Sequence, residues 1–411
     1  MNSIKNKILN AGLILVSVVL AIILLEVILR FTHYNILITK YEEFRYYYVA
    51  DRNKGYDIKP NVGKFQSNAD EEVYFPVWSN ALGCFDEPYK GERDYILLLG
   101  DSFVHGYAPF ADKWGSQLEN LLGYRVLKCG VDCYGTKQEF LKGKEIIKMT
   151  KTSPRLIIVG YFWPSLDRDY SFPNQTVNDG YLVYQNELKD VKTGETVFSR
   201  KNLEEKFGLF STGPLIKIKN FIKRESIIGR LVISAVKDKI MDPSENNIYK
   251  NVSISFLDFP WIENAWQNHF KNIRSIQSLA IENGAQLLIV IIPTKEQVYP
   301  FLFDWKSAGL DPERPNKKLI AFFNRTGIGY IDLLPLFEKY ADQRPRKFLS
   351  PSKDLYWRYD GHWNIKGNHL AGLPLAKYIL ENNLITMTHK NEKLILINQK
   401  LQEYQTANHS Q

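Results

Sequence analysis

The chain has 411 residues, of which 45% are hydrophobic and 13% aromatic, so it can bury one large core or two ordinary ones. Its net charge is +8, but lysines and arginines are mixed with acidic residues along the chain rather than gathered in one stripe. This pattern argues against nucleic acid as a partner and favours attraction to an anionic membrane or glycan surface.

The first strong element is an N-terminal apolar segment, residues 8–30, which contains the run ILNAGLILVSVVLAIILLEVIL. Its length matches one bilayer crossing. Lys5 and Lys7 precede the run and predict that residues 1–7 are cytoplasmic, while Glu26 lies near the far end, where a carboxylate reaches the headgroups. No A-x-A site follows, so an uncleaved anchor is favoured over a removed signal peptide. Either interpretation places the rest of the chain outside the cytoplasm.

The remaining sequence divides by pattern. Residues 31–90 are rich in aromatic and charged residues with little periodicity, which indicates a stem, and residues 91–385 form the predicted domain. Within it, residues 170–258 lose the strand–helix rhythm and are interpreted as an insertion, with a hairpin around DGYLVYQNELKD and a basic helix near 214–225. Residues 386–411 are predicted to be a polar C-terminal tail.

The chain has three cysteines, Cys84, Cys129 and Cys133, and this small number limits its metal-binding and redox chemistry. They form no CxxC or Cys/His set with zinc-ligand spacing, and no cofactor-binding loop is present, so neither a metal nor a cofactor is predicted. Cys129 and Cys133 are close enough in sequence to pair if the local geometry allows it. The expectation is that the thiols are free and buried.

Alternation of strands and helices begins at Tyr95. The continuous apolar run YILLLG, residues 95–100, is typical of a strand covered on both faces. Further strands are predicted at residues 124–129, 155–162, 286–293 and 327–333, with helices at about 113–122, 136–149, 262–284, 315–325 and 366–381. Strands separated by helices imply crossover connections and a mostly parallel sheet, whose sites form beyond the carboxyl ends of the strands.

The stretch LLLGDSFVHG places a small polar triplet at one such strand end. Asp101 and Ser102 fit a helix cap, but Ser102 also fits a nucleophile held at the edge of the sheet. A serine needs a base to remove its proton, and a histidine base needs a carboxylate to fix its tautomer. YDGHWNIKGNHLAG supplies Asp360 and His362 just before a helix. A structural histidine packed beside Trp363 is the alternative interpretation.

These blocks together resemble the SGNH hydrolases, the GDSL-type esterase and lipase superfamily, in its membrane-anchored branch. The motifs that carry the resemblance are WSNALGCFD (78–86), GDSFVHGYAPFADKWG (100–115), CGVDCYGTKQEF (129–140), IIVGYFWPSLDRDY (157–170), ENGAQLLIVIIPTKEQVY (282–299) and YDGHWNIKGNHLA (359–371). The resemblance implies a flavodoxin-like three-layer α/β/α sandwich with a mostly parallel five-stranded sheet. It also implies Ser102 as nucleophile, His362 as base and Asp360 as orienting acid, two residues before the histidine where many members have three.

The oxyanion hole departs from the family pattern. The resemblance implies donors at Ser102, at a second-block glycine that aligns with Cys133, and at a third-block asparagine that aligns with Pro164 and Ser165. Cys133 retains a backbone N–H, whereas proline has no donor, so Ser165 is the replacement candidate. Loss of one oxyanion donor typically lowers turnover by about 10²–10³-fold.

Other polar and aromatic residues are candidates for a substrate groove. His105 follows Ser102 by three residues, Lys295 lies at a strand end, and Trp363 adjoins the histidine. Tryptophans 114, 163, 357 and 363 are candidates for stacking on sugar rings, with core packing as the alternative.

Together these observations predict an anchored, extracytoplasmic serine ester hydrolase or O-acyltransferase that acts on acylated surface glycans or another small ester. The alternative is a catalytically weakened protein of the same fold that binds a glycan or a partner. Fold alone does not decide between them.

Overall fold

The computed structural model describes residues 2–32, 46–69, 73–170, 172–173, 175–178, 181–184, 188–189, 196–198, 226–229, 231–232, 260–307, 309–346, 349–350, 352–358 and 360–409. The chain divides into two compact units. One unit comprises residues 1–46 with 201–242, and the other comprises residues 47–200 with 243–411. The second unit contains the predicted catalytic domain.

The secondary structure of the larger unit alternates between strands and helices, as the sequence predicts. Its strands are β1 (Tyr48–Asp51), β2 (Gly55–Ile58), β3 (Phe65–Ala69), β4 (Val73–Val77), β5 (Ile96–Gly100), β6 (Val126–Lys128), β7 (Leu156–Tyr161), β8 (Gln175–Asn178), β9 (Tyr181–Tyr184), β10 (Leu188–Lys189), β11 (Thr196–Phe198), β12 (Gln286–Ile291) and β13 (Gly329–Asp332). Helix α1 (Asn2–Arg30) belongs to the smaller unit. The helices of the larger unit are α2 (Ser102–His105), α3 (Trp114–Leu122), α4 (Thr136–Thr150), α5 (Leu166–Tyr170), α6 (Pro260–Glu282), α7 (Lys295–Val298), α8 (Arg314–Thr326), α9 (Leu334–Tyr340), α10 (Ile365–Glu381) and α11 (Lys390–His409).

A five-stranded sheet forms the centre of this unit, in the order β13-β12-β7-β5-β6. Every neighbouring pair in it is parallel. The chain passes from β5 to β6 on one side and then crosses to β7 on the other, so β5 lies at a topological switch point. Ligand sites of parallel sheets form at such points. The predicted fold is confirmed, and Ser102 lies two residues after the end of β5.

Alternate residues of β5 enter two separate cores, one on each face of the sheet. Ile96 and Leu98 pack with α3, α9 and α10, whereas Leu97 and Leu99 pack with α4, α6 and α8. All four side chains are completely buried. A strand that is buried on both faces has an unbroken run of apolar residues, and the run YILLLG therefore predicted strand β5.

Residues 47–90 differ from the expected stem, because they belong to the compact unit rather than leading into it. Two antiparallel hairpins, β1–β2 and β3–β4, lie within this stretch. Asp86 is fully buried and forms two ion pairs at 2.9 Å, one with Arg125 and one with Lys128 on β6. Buried tyrosines and paired charges hold the segment, and these do not produce a simple periodicity.

A disulfide joins Cys84 to Cys129. The expectation of free thiols is therefore wrong for these two residues, and the Cys129–Cys133 pairing that was left open does not form. Cys129 directly follows β6, so the bond ties the loop of Cys84 to the edge of the central sheet. Disulfides persist in oxidising compartments, which is consistent with a location outside the cytoplasm.

Removing this disulfide is expected to destabilise the domain. The bond closes a segment with a sequence separation of 45, and a link of that span typically contributes about 2–4 kcal/mol. The double variant Cys84→Ala/Cys129→Ala should lose that much free energy of unfolding in urea titration. Cys133→Ser is the control and should change it by less than about 1 kcal/mol; equal stability of the double variant and the wild type would contradict the prediction.

The smaller unit contains the apolar helix α1. Its segment Asn10–Arg30 has a mean hydropathy of 3.0 and is long and apolar enough to cross a membrane. Glu26 accepts hydrogen bonds from the Ser226 hydroxyl and from the backbone N–H groups of Ile227 and Ile228, at 2.9–3.0 Å. A carboxylate near the end of an apolar helix is thereby satisfied by donors from the same unit.

The insertion and the tail are only partly as expected. β8 and β9 pair as an antiparallel hairpin, close to where one was predicted. The basic helix expected near residues 214–225 lies outside the described residues. The C-terminal stretch, expected to be a polar tail, contains helix α11, because Ile397 is fully buried and Leu394 and Leu401 pack against the α3/α10 core.

Candidate active site

Gly100 makes the turn that presents Ser102 at the rim of the sheet. Its φ of 153° is a conformation that only glycine adopts readily, and a Cβ at this position would lie 2.4 Å from Cγ2 of Val104 and 2.7 Å from the Gly160 carbonyl oxygen. Asp101 then caps α2, its side chain accepting a hydrogen bond from the Phe103 N–H at 3.0 Å. Ser102 is thus the first residue of α2, and Asp101 takes the capping role.

The structure brings Ser102, His362 and Asp360 together. His362 Nε2 lies 2.7 Å from Ser102 Oγ, and His362 Nδ1 lies 2.5 Å from Asp360 Oδ1. The same carboxylate oxygen accepts the His362 backbone N–H at 2.7 Å, so Asp360 fixes both the ring and its backbone. One imidazole nitrogen faces the hydroxyl and the other faces the acid, which is the geometry of a serine nucleophile with its base and orienting group.

The electrostatics of the pair favour a charged acid and a basic imidazole. Burial opposes ionisation of Asp360, but the positive charge and hydrogen bonds of His362 outweigh it and lower the pKa of Asp360 to about 2. Burial likewise opposes protonation of His362, yet the charge and hydrogen bond of Asp360 prevail and raise the pKa of His362. The imidazole is therefore a stronger base than a free histidine.

Lys295 differs from its predicted role in a substrate groove. Its ammonium donates to the carbonyl oxygens of Trp357 at 2.7 Å, Arg358 at 2.8 Å and Asp360 at 3.3 Å. Lys295 is only 7% exposed, so it fixes the loop that carries the acid and the histidine rather than facing a ligand.

Replacing Lys295 by methionine is expected to loosen this loop. Three backbone carbonyls would lose their donor, and small displacements of reacting groups cost up to about 10²-fold in rate. We expect Lys295→Met to lower kcat/KM for p-nitrophenyl acetate by about 10–100-fold. Lys306→Met, at an exposed position, is the matched control and should be unchanged. Wild-type kcat/KM in Lys295→Met would contradict the loop-fixing role.

Trp363 also lies in the core rather than in a groove. It is 1% exposed, and its ring stacks on Phe337 with centroids 5.0 Å apart. Tryptophans 114, 163 and 357 are at most 2% exposed, so none of the four presents a face for sugar stacking in this structure. Trp363 instead anchors the chain next to His362 in the hydrophobic core.

His105 is the third correction to the predicted groove. It is 4% exposed, and its Nε2 lies 2.9 Å from the Tyr47 hydroxyl. Burial lowers the pKa of His105 to about 4, so the imidazole is neutral near neutral pH. His105 is a buried partner of Tyr47, which directly precedes the β1–β2 hairpin, and not an exposed groove residue.

Of the predicted oxyanion positions, Ser102 and Cys133 have defined geometry. Cys133 has a φ of 60°, in the left-handed region that favours glycine. That conformation is the one expected where the family pattern has a glycine, and Cys133 lies outside the disulfide. Ser165 ends the short 3₁₀ turn Trp163–Ser165, and the position of its side chain lies outside the described structure. The oxyanion roles of these residues stay predictions.

Two residues beside the triad were missed by the sequence reasoning. Tyr107 stacks on the His362 imidazole, with ring centroids 4.2 Å apart and an angle of 15° between the planes. Asp132 is 5% exposed and accepts a hydrogen bond from the Tyr48 hydroxyl at 2.5 Å. A signal was available for Asp132, because it directly precedes the aligned position Cys133, but the tyrosine partner lies in the stretch interpreted as a stem.

One acidic cluster has the spacing of a metal site. Oxygen atoms of Asp51, Asp57 and Glu145 lie within 4.8 Å of one another. The ammonium of Lys54 already occupies the centre, 2.9 Å from Asp57 and 3.2 Å from Asp51, and it also pairs with Glu145. A lysine charge thus balances the carboxylates, and the cluster does not fit a cation in addition.

Comparison with known proteins gives matches at the level of structure. No model of a known protein family matches the sequence, and no curated protein matches it. A GDSL-like lipase from Bacteroides thetaiotaomicron aligns at 12% identity and a TM-score of 0.32, covering 72% of this chain and 92% of the lipase. A carbohydrate acetylesterase family member from Sinorhizobium meliloti aligns at 12% identity and a TM-score of 0.33, covering 70% and 98%.

A member of the lipolytic G-D-S-L family from Veillonella parvula aligns similarly, at 12% identity and a TM-score of 0.32, covering 68% of this chain and 94% of its own. The function proposed below rests on residues of this chain and their geometry.

Proposed function

We propose that this chain is a serine ester hydrolase or acyltransferase of the SGNH type. The observation that carries the proposal is the hydrogen-bonded line from Ser102 Oγ through the His362 ring to Asp360, with separations of 2.7 and 2.5 Å. It is supported by the position of Ser102 at a sheet switch point and by the raised pKa of His362.

The chemistry follows from this arrangement. His362 Nε2 takes the Ser102 proton as Oγ attacks the ester carbonyl carbon, and the carbonyl oxygen becomes an oxyanion. When the tetrahedral intermediate collapses, the protonated imidazole gives its proton to the leaving alcohol. An acyl-enzyme remains on Ser102. Water, or a second alcohol, then loses a proton to His362 as its oxygen attacks the acyl carbon, and His362 returns that proton to Ser102 Oγ as the acyl group leaves.

We further propose that the enzyme is anchored by α1, with its domain outside the cytoplasm, and that it acts on an acylated surface glycan. Three features support this: the apolar segment Asn10–Arg30, the disulfide Cys84–Cys129 and the net charge of +8. The positive net charge favours an anionic acylated glycan as the surface ester that the protein attracts.

A weakened, ligand-binding protein of the same fold is the second candidate. The observation that favours it is Pro164, which stands where the family pattern supplies an asparagine donor and has no N–H of its own. This candidate predicts a folded domain that binds glycan without turning it over.

The deciding experiment incubates the purified full-length chain in detergent with an O-acetylated polysaccharide and with p-nitrophenyl acetate. The proposal predicts Ser102-dependent release of acetate, or transfer of acetyl to an added glycan acceptor. Glycan binding without release or transfer by the folded protein would instead establish the second candidate. The acetyl content of the cell-surface polysaccharide in cells without the protein distinguishes the two reactions. A lower acetyl content would indicate a transferase, and a higher acetyl content would indicate an esterase.

A further inference from the structure

A largely buried polar cluster beside the triad has no part in the chemistry described above. Its members are His105, Tyr107, Asp132 and three tyrosines of the segment that forms the β1–β2 hairpin, namely Tyr47, Tyr48 and Tyr56. We propose that Tyr107 and Asp132 are positioning residues for His362: Tyr107 holds the plane of the imidazole, and Asp132 holds Tyr107 and places a further negative charge near the base. The inference rests on the proposed role of His362 as the base.

Both the ring and the backbone of Tyr107 are held close to His362. The stacking geometry, 4.2 Å between centroids and 15° between planes, restricts rotation of the imidazole about its χ2 bond. The Trp357 indole N–H donates to the Tyr107 carbonyl oxygen at 3.0 Å, and the Trp357 N–H donates to the His362 carbonyl oxygen at 3.1 Å. Tyr107 and His362 are therefore held by the same tryptophan.

Asp132 links Tyr107 to the hairpin. Its Oδ2 accepts the Tyr48 hydroxyl at 2.5 Å and lies 3.5 Å from the Tyr107 hydroxyl, while its backbone carbonyl accepts the Tyr56 hydroxyl at 2.5 Å. Its Oδ1 lies 3.4 Å from His105 Nδ1. Neither of these last two atoms has a hydrogen-bond partner among the described residues, so the phenol hydroxyls of Tyr48 and Tyr107 supply the hydrogen bonds of the Asp132 carboxylate.

The charge of Asp132 acts on both rings. It is the largest cause that raises the pKa of Tyr107, which therefore stays a protonated donor. It also adds to Asp360 and Asp101 in raising the pKa of His362. The groups that face Asp132 are the neutral His105, the phenols of Tyr47, Tyr48 and Tyr107, and the more distant Lys113. The phenols and His105 are all uncharged near neutral pH, so none of them offsets the effect of Asp132 on His362.

The arrangement explains why the hairpin belongs to the catalytic unit. Tyr47 contacts His105, Tyr48 contacts the Asp132 carboxylate, and Tyr56 contacts the Asp132 backbone. Asp132 directly precedes Cys133, whose left-handed backbone carries the candidate oxyanion N–H. The same contacts therefore fix the loop that carries Asp132 and Cys133.

The test combines kinetics with titration of His362 in the full-length protein. The variants are Tyr107→Phe, which keeps the ring, Tyr107→Leu, which removes the stack, and Asp132→Asn, which removes the charge. For p-nitrophenyl acetate we expect Tyr107→Leu to lower kcat about tenfold with KM changed less than twofold, and Tyr107→Phe to restore most of that loss. Asp132→Asn should move the His362 titration, followed by NMR of ¹³Cε1-labelled histidines, to lower pH.

An unchanged His362 titration in folded Asp132→Asn, or a Tyr107→Leu variant that changes only KM, would overturn the inference. If Asp132→Asn does not fold by circular dichroism, Tyr48→Phe takes its place. It removes one donor to Asp132, and we expect it to lower kcat about threefold; unchanged kcat would count against the inference. The NMR titration needs no turnover, so absence of esterase activity would overturn the proposed function while the effect of Asp132 on His362 is still measured.

Discussion

Ser102→Ala is expected to lower kcat/KM for p-nitrophenyl acetate by at least about 10⁴-fold, because no other group takes the place of the nucleophile in an acyl-enzyme mechanism. The hydroxyl is 2.7 Å from His362 Nε2 and belongs to a residue that is 7% exposed at the first turn of α2. The variant removes one oxygen atom and leaves the Asp101 cap in place. Its melting temperature should therefore stay within a few degrees of wild type.

The matched control for this variant is Ser116→Ala. Ser116 is similarly buried, at 6% exposure, and its hydroxyl has no hydrogen-bond partner within the part of the chain that the structure describes. It should keep full activity. Equal rates for Ser102→Ala and Ser116→Ala, both well folded, would remove Ser102 from the reaction.

Asp360→Asn is expected to lower kcat by about 10²–10⁴-fold, because an amide no longer holds the imidazole in the tautomer that accepts the Ser102 proton. The pH profile gives a second readout. His362 acts in its neutral form, so activity rises as pH passes upward through its pKa. Since Asp360 raises that pKa, the wild-type midpoint in kcat/KM should lie above 6.5, the ordinary value for histidine.

Without the Asp360 charge, the residual activity of Asp360→Asn should have its midpoint at lower pH than wild type. Asp112→Asn is the control, because Asp112 pairs with His369 at 2.8 Å and not with His362. A midpoint in Asp360→Asn that equals or exceeds that of wild type would contradict the proposed partnership of acid and base.

The central sheet was predictable from sequence because strands β5, β6 and β7, and the second half of β12, are buried on both faces. Runs of consecutive apolar residues such as YILLLG and LLIVIIP are typical of strands whose side chains are buried on both faces of a parallel sheet. The triad was predictable for a different reason. Ser102 lies two residues after a strand and His362 three residues before a helix, so both lie near ends of elements whose positions the topology determines.

The hairpin residues and the groove could not be predicted in the same way. Tyr47, Tyr48 and Tyr56 are held by hydrogen bonds to residues 58 to 84 positions away, and such contacts leave no local pattern. Lys295 and Trp363 were assigned to a groove from their place near strand and loop ends. The side chain of each turns inward, Lys295 to backbone carbonyls and Trp363 to the core, and sequence position does not determine that direction.

The disulfide shows the same limit of local reasoning. Cys129 and Cys133 are neighbours in sequence, yet Cys129 pairs with Cys84, 45 positions away. The ion pairs of Asp86 with Arg125 and Lys128 bring the two loops together. Tertiary packing, not spacing, selects the partner.

The most direct measurement for the whole account is covalent labelling of the purified full-length chain by a fluorophosphonate probe, with the adduct located by peptide mass spectrometry. Ser102, activated by His362, should attack the phosphorus atom of the probe and keep the probe bound covalently. The His362→Ala variant should show much weaker labelling. A folded protein that takes up no probe, or takes it up at another residue, would contradict the account.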